Sequence, residues 1–248
     1  MVTNLLAGPP GRRNFGLRST PRYIPGTAPF FMQMLHTLNI SLHVLAGTVA
    51  LVVGLLALAV RKPSALHFRY GRYFLYLLAV VIGTGFTGLL FFRSSSFLLM
   101  LTLGAGYDVY AGYRAVQLRQ RRSTRPDALV AAGTLAVGLL YLFYLRQAGG
   151  NWAPSVVYST LGALALVTGY DLLKHFWLHE RFQSWWLYEH IYKMLSAYSA
   201  ILSAFVGTVL PNFKPYSQLG PSVLCLWLIA FFIWRQAASK RVVVSTES

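Results

Sequence analysis

The chain has almost no cysteine and little charge, and both scarcities narrow its chemistry. A single cysteine, Cys225, lies in the last apolar stretch, which excludes an intramolecular disulfide and a CxxC metal or redox motif. Charged residues make up 11% of the chain against 56% hydrophobic ones, far from a soluble globular average. Between Arg22 and Arg61, 38 consecutive positions carry no Asp, Glu, Lys or Arg. Apolar stretches and their turns use nearly all of the 248 residues, so no soluble catalytic domain fits beside them and any chemistry sits among helices. No internal repeat strong enough for an inverted-repeat transporter is visible, and no low-complexity stretch.

What the chain does have is one apolar run after another. Charge-free stretches recur at 73–92, 128–145, 147–170, 194–213 and 215–234, and the stretch 94–117 is interrupted only by Asp108 and Arg114. About twenty mostly apolar residues cross a bilayer as a helix. The expected architecture is therefore an all-α, polytopic bundle of about seven spans, at 31–60, 70–92, 95–117, 128–146, 154–176, 187–210 and 219–237. A basic Gly/Pro-rich tail, 1–30, expected to be disordered, precedes the bundle (31–237), and a cytoplasmic tail, 238–248, follows it.

The net charge of +16 raises nucleic acid as a partner, but the basic residues sort by loop, and that argues for a membrane instead. Arg61, Lys62, Arg69 and Arg72 fall in one turn, and Arg114, Arg119, Arg121, Arg122 and Arg125 in the next on that side. Lys174, Arg181, Arg235, Lys240 and Arg241 join them, whereas the opposite loops offer Arg93, Arg146 and Lys214. The positive-inside rule then places the C-terminus in the cytoplasm and the N-terminus outside, with the lipid bilayer as the protein's partner. Arg12, Arg13, Arg18 and Arg22 lie on the wrong side of this scheme. The tail has no apolar h-region of a signal peptide, and a translation start at Met32 or Met34 would remove all four arginines.

Pro63, Pro126, Pro154, Pro211, Pro215 and Pro221 fall in or beside the expected turns, with none in mid-span. Trp152, Trp177, Trp185, Trp186 and Tyr188 sit near span ends, where amphipathic rings favour the interface. His43, Gly47, Ala50, Gly54 and Ala57 share one helix face, a small-residue stripe that lets another helix approach and turns His43 toward protein. Gly83, Gly85 and Gly88 spell GxGxxG inside an uncharged span; without a strand-turn-helix setting this reads as helix packing and not as a dinucleotide site.

Ionisable residues in the spans are the functional candidates. His36 and His43 lie toward the outer side and His67 at the inner entrance of the second span. Asp108 lies in the third span with Tyr107, Tyr110, Tyr113 and Arg114 around it, and Arg114 or a neighbouring tyrosine is its expected local partner. Asp171, His175 and His179 follow a four-residue spacing at the inner end of the fifth span. Glu189, His190, Lys193 and Met194 open the sixth. The plainer readings are solvated histidines for His67, His175 and His179, a packed and hydrogen-bonded His43, and a structural ion pair for Asp108.

The run from His43 to Phe74, HVLAGTVALVVGLLALAVRKPSALHFRYGRYF, together with Gly112-Tyr113-Arg114 and with His190, Ile191, Met194 and Tyr198, resembles a family of bacterial multi-pass inner-membrane proteins of unknown function. The resemblance covers most of 34–237 and departs from the family in the long N-terminal tail and at Lys193, where arginine is more usual. It implies a multi-pass inner-membrane protein and no particular activity.

Three mechanisms fit these residues, and none assigns a catalytic residue. His67, His175 and His190 share a depth suited to holding haem b between neutral imidazoles, with Arg69 and Arg72 on the propionates and quinone or another membrane redox partner. His43 and His190 differ in depth by roughly 20 Å at 1.5 Å per residue, too far to pair. His67, His175, His179 and His190 are the candidate metal ligands. His175 and His179, with His67 as third ligand and Asp108 on a metal-bound water, resemble a zinc-dependent intramembrane hydrolase. In that family, however, the His-x-x-x-His usually lies on the last helix. The third reading is a proton-coupled transporter or structural membrane partner without a cofactor, with Asp108, Glu189 and Lys193 as relay or packing network.

Overall fold

The computed structural model describes residues 27–92, 96–148 and 154–246, and every regular element among them is helical. The order is α1 (Thr27–Ala59), α2 (Ala65–Phe92), α3 (Ser96–Leu118), α4 (Arg125–Ala148) and α5 (Pro154–Leu173). A π turn (Lys174–Leu178), the one-turn α6 (His179–Phe182) and a 3-10 turn (Gln183–Trp185) lead into α7 (Trp186–Val209). A 3-10 turn (Pro211–Phe213) then leads into α8 (Tyr216–Thr246). Residues 1–26 of the expected N-terminal tail, Arg93 and Trp152 lie outside the described residues.

Seven of these helices have twenty residues or more, at the places the charge-free stretches predict. Four are long and apolar enough to cross a membrane by length and composition: Phe30–Ala59, Ala65–Phe92, Arg125–Gln147 and Tyr216–Ser239. Over their described residues, α3, α5 and α7 do not meet that measure. Large apolar side chains point outward on several helices, among them Leu45, Leu90, Leu140, Leu166 and Trp227. An exposed apolar sheath of this extent suits lipid and not water. The protein is a multi-pass membrane protein.

Several boundaries shift for local reasons. α2 starts at Ala65, five residues before the expected 70, because Ser64 serves as its N-cap: the backbone N–H of His67 donates to Ser64 Oγ at 3.1 Å. α8 runs on to Thr246 through the expected C-terminal tail. Pro221 is a correction, since it lies inside α8 and not in a turn. It stands five residues past the helix start, so the missing N–H removes one early hydrogen bond and spares the remaining turns.

α1 packs along α2, α3 along α7, α7 along α8 and α4 along α5. Two apolar clusters result. Ala46, Ala50, Phe74, Leu78, Val81, Ala197, Tyr198, Ile201 and Cys225 join α1, α2, α7 and α8. Tyr107, Ala111, Ala131, Leu164 and Val167 join α3, α4 and α5. The small-residue stripe of α1 faces protein: Ala50 is fully buried, and Gly54 lies against the rings of Tyr198 and Phe74. The GxGxxG run lies within α2, where Gly85 meets Thr102 and Gly88 meets Asn39, as helix packing requires. Between α7 and α8, Ser199 and Ser203 both reach Ser222, at 3.3 and 3.2 Å, a polar bond between helices where water is absent. Thr168, fully buried, returns its hydroxyl to the Leu164 carbonyl at 2.7 Å.

Side-chain contacts gather the basic turns at one end of the bundle. Lys62, in the α1–α2 turn, lies over the Phe232 ring at 4.3 Å, near Arg235. Arg122, in the α3–α4 turn, donates to the carbonyls of His175 and Phe176, and Arg119 lies 6.0 Å above the Trp186 ring.

Candidate functional site

The chain has six acidic residues, and four of them, Asp108, Asp127, Asp171 and Glu189, gather between α3, α4, α5 and α7. Three line a single cavity near the basic end, which Tyr107, Tyr110, Arg114, Lys174 and Lys193 also line. Each of those three carboxylates carries both a cation and a tyrosine. Asp171 accepts from Lys193 Nζ at 2.7 and 2.8 Å and from the Tyr107 hydroxyl at 2.5 Å. Glu189 accepts from Lys174 Nζ at 2.5 Å and from the Tyr170 hydroxyl at 2.8 Å. Asp127 accepts from Arg114 Nε at 2.7 Å, from Arg114 Nη2 at 2.9 Å and from the Tyr110 hydroxyl at 2.6 Å. Lys193 is 4% exposed, so its pair with Asp171 sits where charges persist only when fully bonded.

The Asp127 pair rests on a helix start the sequence writes plainly. Thr124-Arg-Pro-Asp127 places Thr124 at the N-cap of α4, and both its backbone N–H and its hydroxyl donate to Asp127 Oδ2, at 2.8 and 2.7 Å. The reach of the third-position acid back to the cap N–H is half of a capping box. Arg114 forks onto the same carboxylate from α3. Arg114→Lys keeps the charge and loses the fork, and is expected to lower stability by about 1–2 kcal/mol. The thermal midpoint of the detergent-purified protein checks this; an unchanged midpoint would mean that the fork contributes nothing.

Asp108 departs from its expected pairing. Arg114 is bound to Asp127, and among the described residues no donor lies within hydrogen-bond distance of the Asp108 carboxylate. Its electrostatic neighbours are Asp171, Lys193 and Tyr192. Positions 108 and 114 are six residues apart on α3, and at about 100° per residue they point to different sides of the helix.

The candidate histidines are spread over separate settings. His67 donates Nδ1–H to the Ala57 carbonyl and His190 donates Nδ1–H to the Gly112 carbonyl, each at 3.0 Å, and the two imidazoles are near enough to interact electrostatically. Both bonds fix the tautomer that leaves Nε2 as the lone-pair nitrogen. His175 is bonded elsewhere, its Nδ1 2.7 Å from Ser123 Oγ. His43 lies 2.8 Å from Thr84 Oγ1, packed as the stripe on α1 predicts. Among the described residues no three His, Cys, Asp or Glu side chains are placed to hold a metal ion, so His67, His175, His179 and His190 do not come together as a ligand set. The four-residue spacing of Asp171, His175 and His179 runs through a π turn at Lys174–Leu178, and their contacts differ: Asp171 binds Lys193 and Tyr107, while His175 binds Ser123. His179, outside the long helices, has its pKa pushed below the ordinary value by burial, then by Lys174 and Arg122. Arg72 and Tyr113 are exposed.

The sequence elements Gly112-Tyr113-Arg114 and His190-Ile-x-x-Met194 meet in space. Gly112 lies against Met194 and Lys193 and gives its carbonyl to His190. Asp127, Tyr170, Arg119 and Arg121 are site residues that the sequence reading did not select. One signal pointed to part of this set: Gly-Tyr-Asp occurs twice, at 106–108 and 169–171, and the fold brings the two copies together as Tyr107 and Asp171. No protein-family model, curated protein or solved structure matches the chain.

Proposed function

We propose that the chain is a proton-coupled transporter of a bacterial inner membrane, with seven spans, the N-terminus outside and the basic end in the cytoplasm. It would group with the bacterial multi-pass family its motifs resemble, and the packing of Gly112 on His190 and Met194 supports that grouping. The packing of the basic α3–α4 turn on the α5–α7 connection, and of Lys62 in the α1–α2 turn on Phe232 near Arg235 of α8, supports the orientation. The observation that carries the transport reading is the Asp108–Asp171–Lys193 trio. Two carboxylates and one ammonium are neutral together only when they hold one proton, and burial beside Tyr107 and Tyr192 favours neutrality. Glu189 and Lys174 continue the ionisable groups from Asp171 along the same cavity, and Tyr170 donates to Glu189 beside it. Intramembrane chains of this kind serve as proton relays.

The test is an acid pulse applied to proteoliposomes carrying a trapped pH dye. Proton uptake above that of empty liposomes is expected from the wild type, falling to background in Asp108→Asn and Asp171→Asn. Equal flux in wild type and Asp108→Asn would overturn the relay.

One observation favours a second reading, haem b on His67 and His190 with a quinone as partner. Each ring has its Nδ1–H on a backbone carbonyl and, among the described residues, no hydrogen-bond partner at Nε2, the tautomer that would let the two imidazoles hold haem iron. The pair fits by ligand chemistry; the cavity of the acidic cluster is lined by neither, and His175 does not join them. Haem would supply one-electron transfer. A visible spectrum of the purified protein, oxidised and dithionite-reduced, separates the readings: a reducible Soret band lost in His190→Ala supports the cytochrome.

A further inference from the structure

We infer that the mouth of the acidic cavity is an oxyanion site, built by Arg119 and Arg121, for a phosphate-bearing ligand that travels with the proton. This rests on the reading of the cavity as a transport site and names the class of its cargo. The cavity is lined by five cationic and three carboxylate side chains, a formal excess of two positive charges. The interior donors are already committed: Lys193, Lys174, Arg114 and the tyrosines Tyr107 and Tyr110 each bond a carboxylate. The excess is carried by Arg119 and Arg121, and neither is ion-paired among the described residues. Guanidinium forks match the oxygens of phosphate and carboxylate, and two arginines suit a doubly charged phosphate monoester.

The backbone positions Arg119 at the rim. Arg119 follows the last residue of α3 with φ of 52°, the left-handed conformation in which glycine is at ease and arginine is strained. Its N–H closes on the Ala115 carbonyl at 2.9 Å, and the N–H of Arg121 closes on the Leu118 carbonyl at 2.9 Å. The turn places the Arg119 guanidinium over the Trp186 ring at the cavity rim. Glycine would make the same turn with less strain, so exchanging Arg119 for glycine removes the guanidinium without opposing the turn. Its contact with Trp186 also provides a reporter, since an anion drawn to Arg119 alters the surroundings of the indole.

The ligand has two sources with one chemistry, a soluble phosphate or the phosphomonoester headgroup of phosphatidate. The experiment uses the full chain in phosphatidylcholine nanodiscs titrated with inorganic phosphate, and in parallel in nanodiscs containing phosphatidate. Tryptophan emission is recorded, with Trp186→Phe as the blank, and bound lipid is counted by native mass spectrometry. Saturable binding of phosphate, or retention of one phosphatidate, is expected. Arg119→Gly and Arg121→Gln should each weaken it about tenfold or more. Arg119→Gly relieves the turn, so its unfolding midpoint should stay level or rise, which separates lost binding from lost folding. Arg146→Gln, distant from the cavity, should bind as the wild type does. Absence of saturable binding from both sources, or undiminished binding in the two cavity variants, would overturn the inference. Phosphate binding retained in a protein that takes up no protons would overturn the relay alone.

Discussion

Lys193→Ala is expected to cost roughly 3–5 kcal/mol, the penalty of leaving a buried carboxylate without its cation. Lys193 holds both oxygens of Asp171 and is also the cation nearest Asp108 among that residue's neighbours, so one deletion strands two acids. A typical domain has about 5–15 kcal/mol of stability, so the single variant should be lost or aggregate when extracted in mild detergent. The rescue is the more informative half. Lys193→Met with Asp171→Leu removes the charge pair together, and replacing both partners by apolar groups is often near neutral. That double variant should recover the part of the thermal midpoint lost through Asp171, with Asp108 still without its cation, while giving no proton uptake. Size-exclusion profiles and tryptophan unfolding curves read the stability, and a wild-type midpoint for Lys193→Ala would show that Asp171 does not depend on it.

The helices were legible because the bilayer imposes a composition: apolar stretches with little or no charge predict where seven long helices form, although α2 starts five residues early and α8 runs on to Thr246. The caps Ser64 and Thr124 were not read, and the expected starts at 70 and 128 fall past them because an apolar run marks a helix's middle and a cap marks its edge. The order of helices around the bundle was not, because apolar residues facing lipid and apolar residues facing another helix are the same residues. That ambiguity accounts for the pairing expected of Asp108. Within one helix Arg114 is its nearest cation in sequence, but the partner of Arg114 comes from α4, and the neighbours of Asp108 come from α5 and α7.

The same ambiguity explains the histidines. His67, His175 and His190 were grouped by depth, which sequence gives, while convergence also depends on rotation and on neighbours, which sequence withholds. A π turn at Lys174–Leu178 replaces the expected α-helical end, and Ser123 from another turn takes the ring of His175. The doubled Gly-Tyr-Asp is the counterexample, a short pattern whose two copies meet. Tyrosine beside aspartate on a helix points the two side chains about 100° apart, so one copy offers a donor to one neighbour and an acceptor to another. Two such copies on adjacent helices can cross-link, as Tyr107 and Asp171 do.

The second large effect falls at Gly54, where two aromatic rings pack directly on the α1 backbone. A methyl group there would lie 2.7 and 2.8 Å from ring carbons of Tyr198 and 3.0 Å from a ring carbon of Phe74. Neither ring can swing away at low cost: Phe74 is 5% exposed, and the Tyr198 hydroxyl donates to the Leu51 carbonyl at 3.3 Å. Gly54→Ala should therefore destabilise the protein by about 1–3 kcal/mol through overpacking, even though alanine is the better helix former. Tyr198→Leu in the same chain should return part of that loss. Gly83→Ala is the matched control, since a Cβ there meets nothing within 4 Å and propensity alone predicts a neutral or stabilising change. Gly112→Ala should fall between them, because the nearest atom, at 2.8 Å, is the mobile end of Met194, while the Cβ of Lys193 at 3.1 Å is not free to move. If all three variants unfolded at the same midpoint, α1 would not be held by its small-residue stripe, and the close packing of α1 on α2 and α7 would have to be carried by its bulkier neighbours.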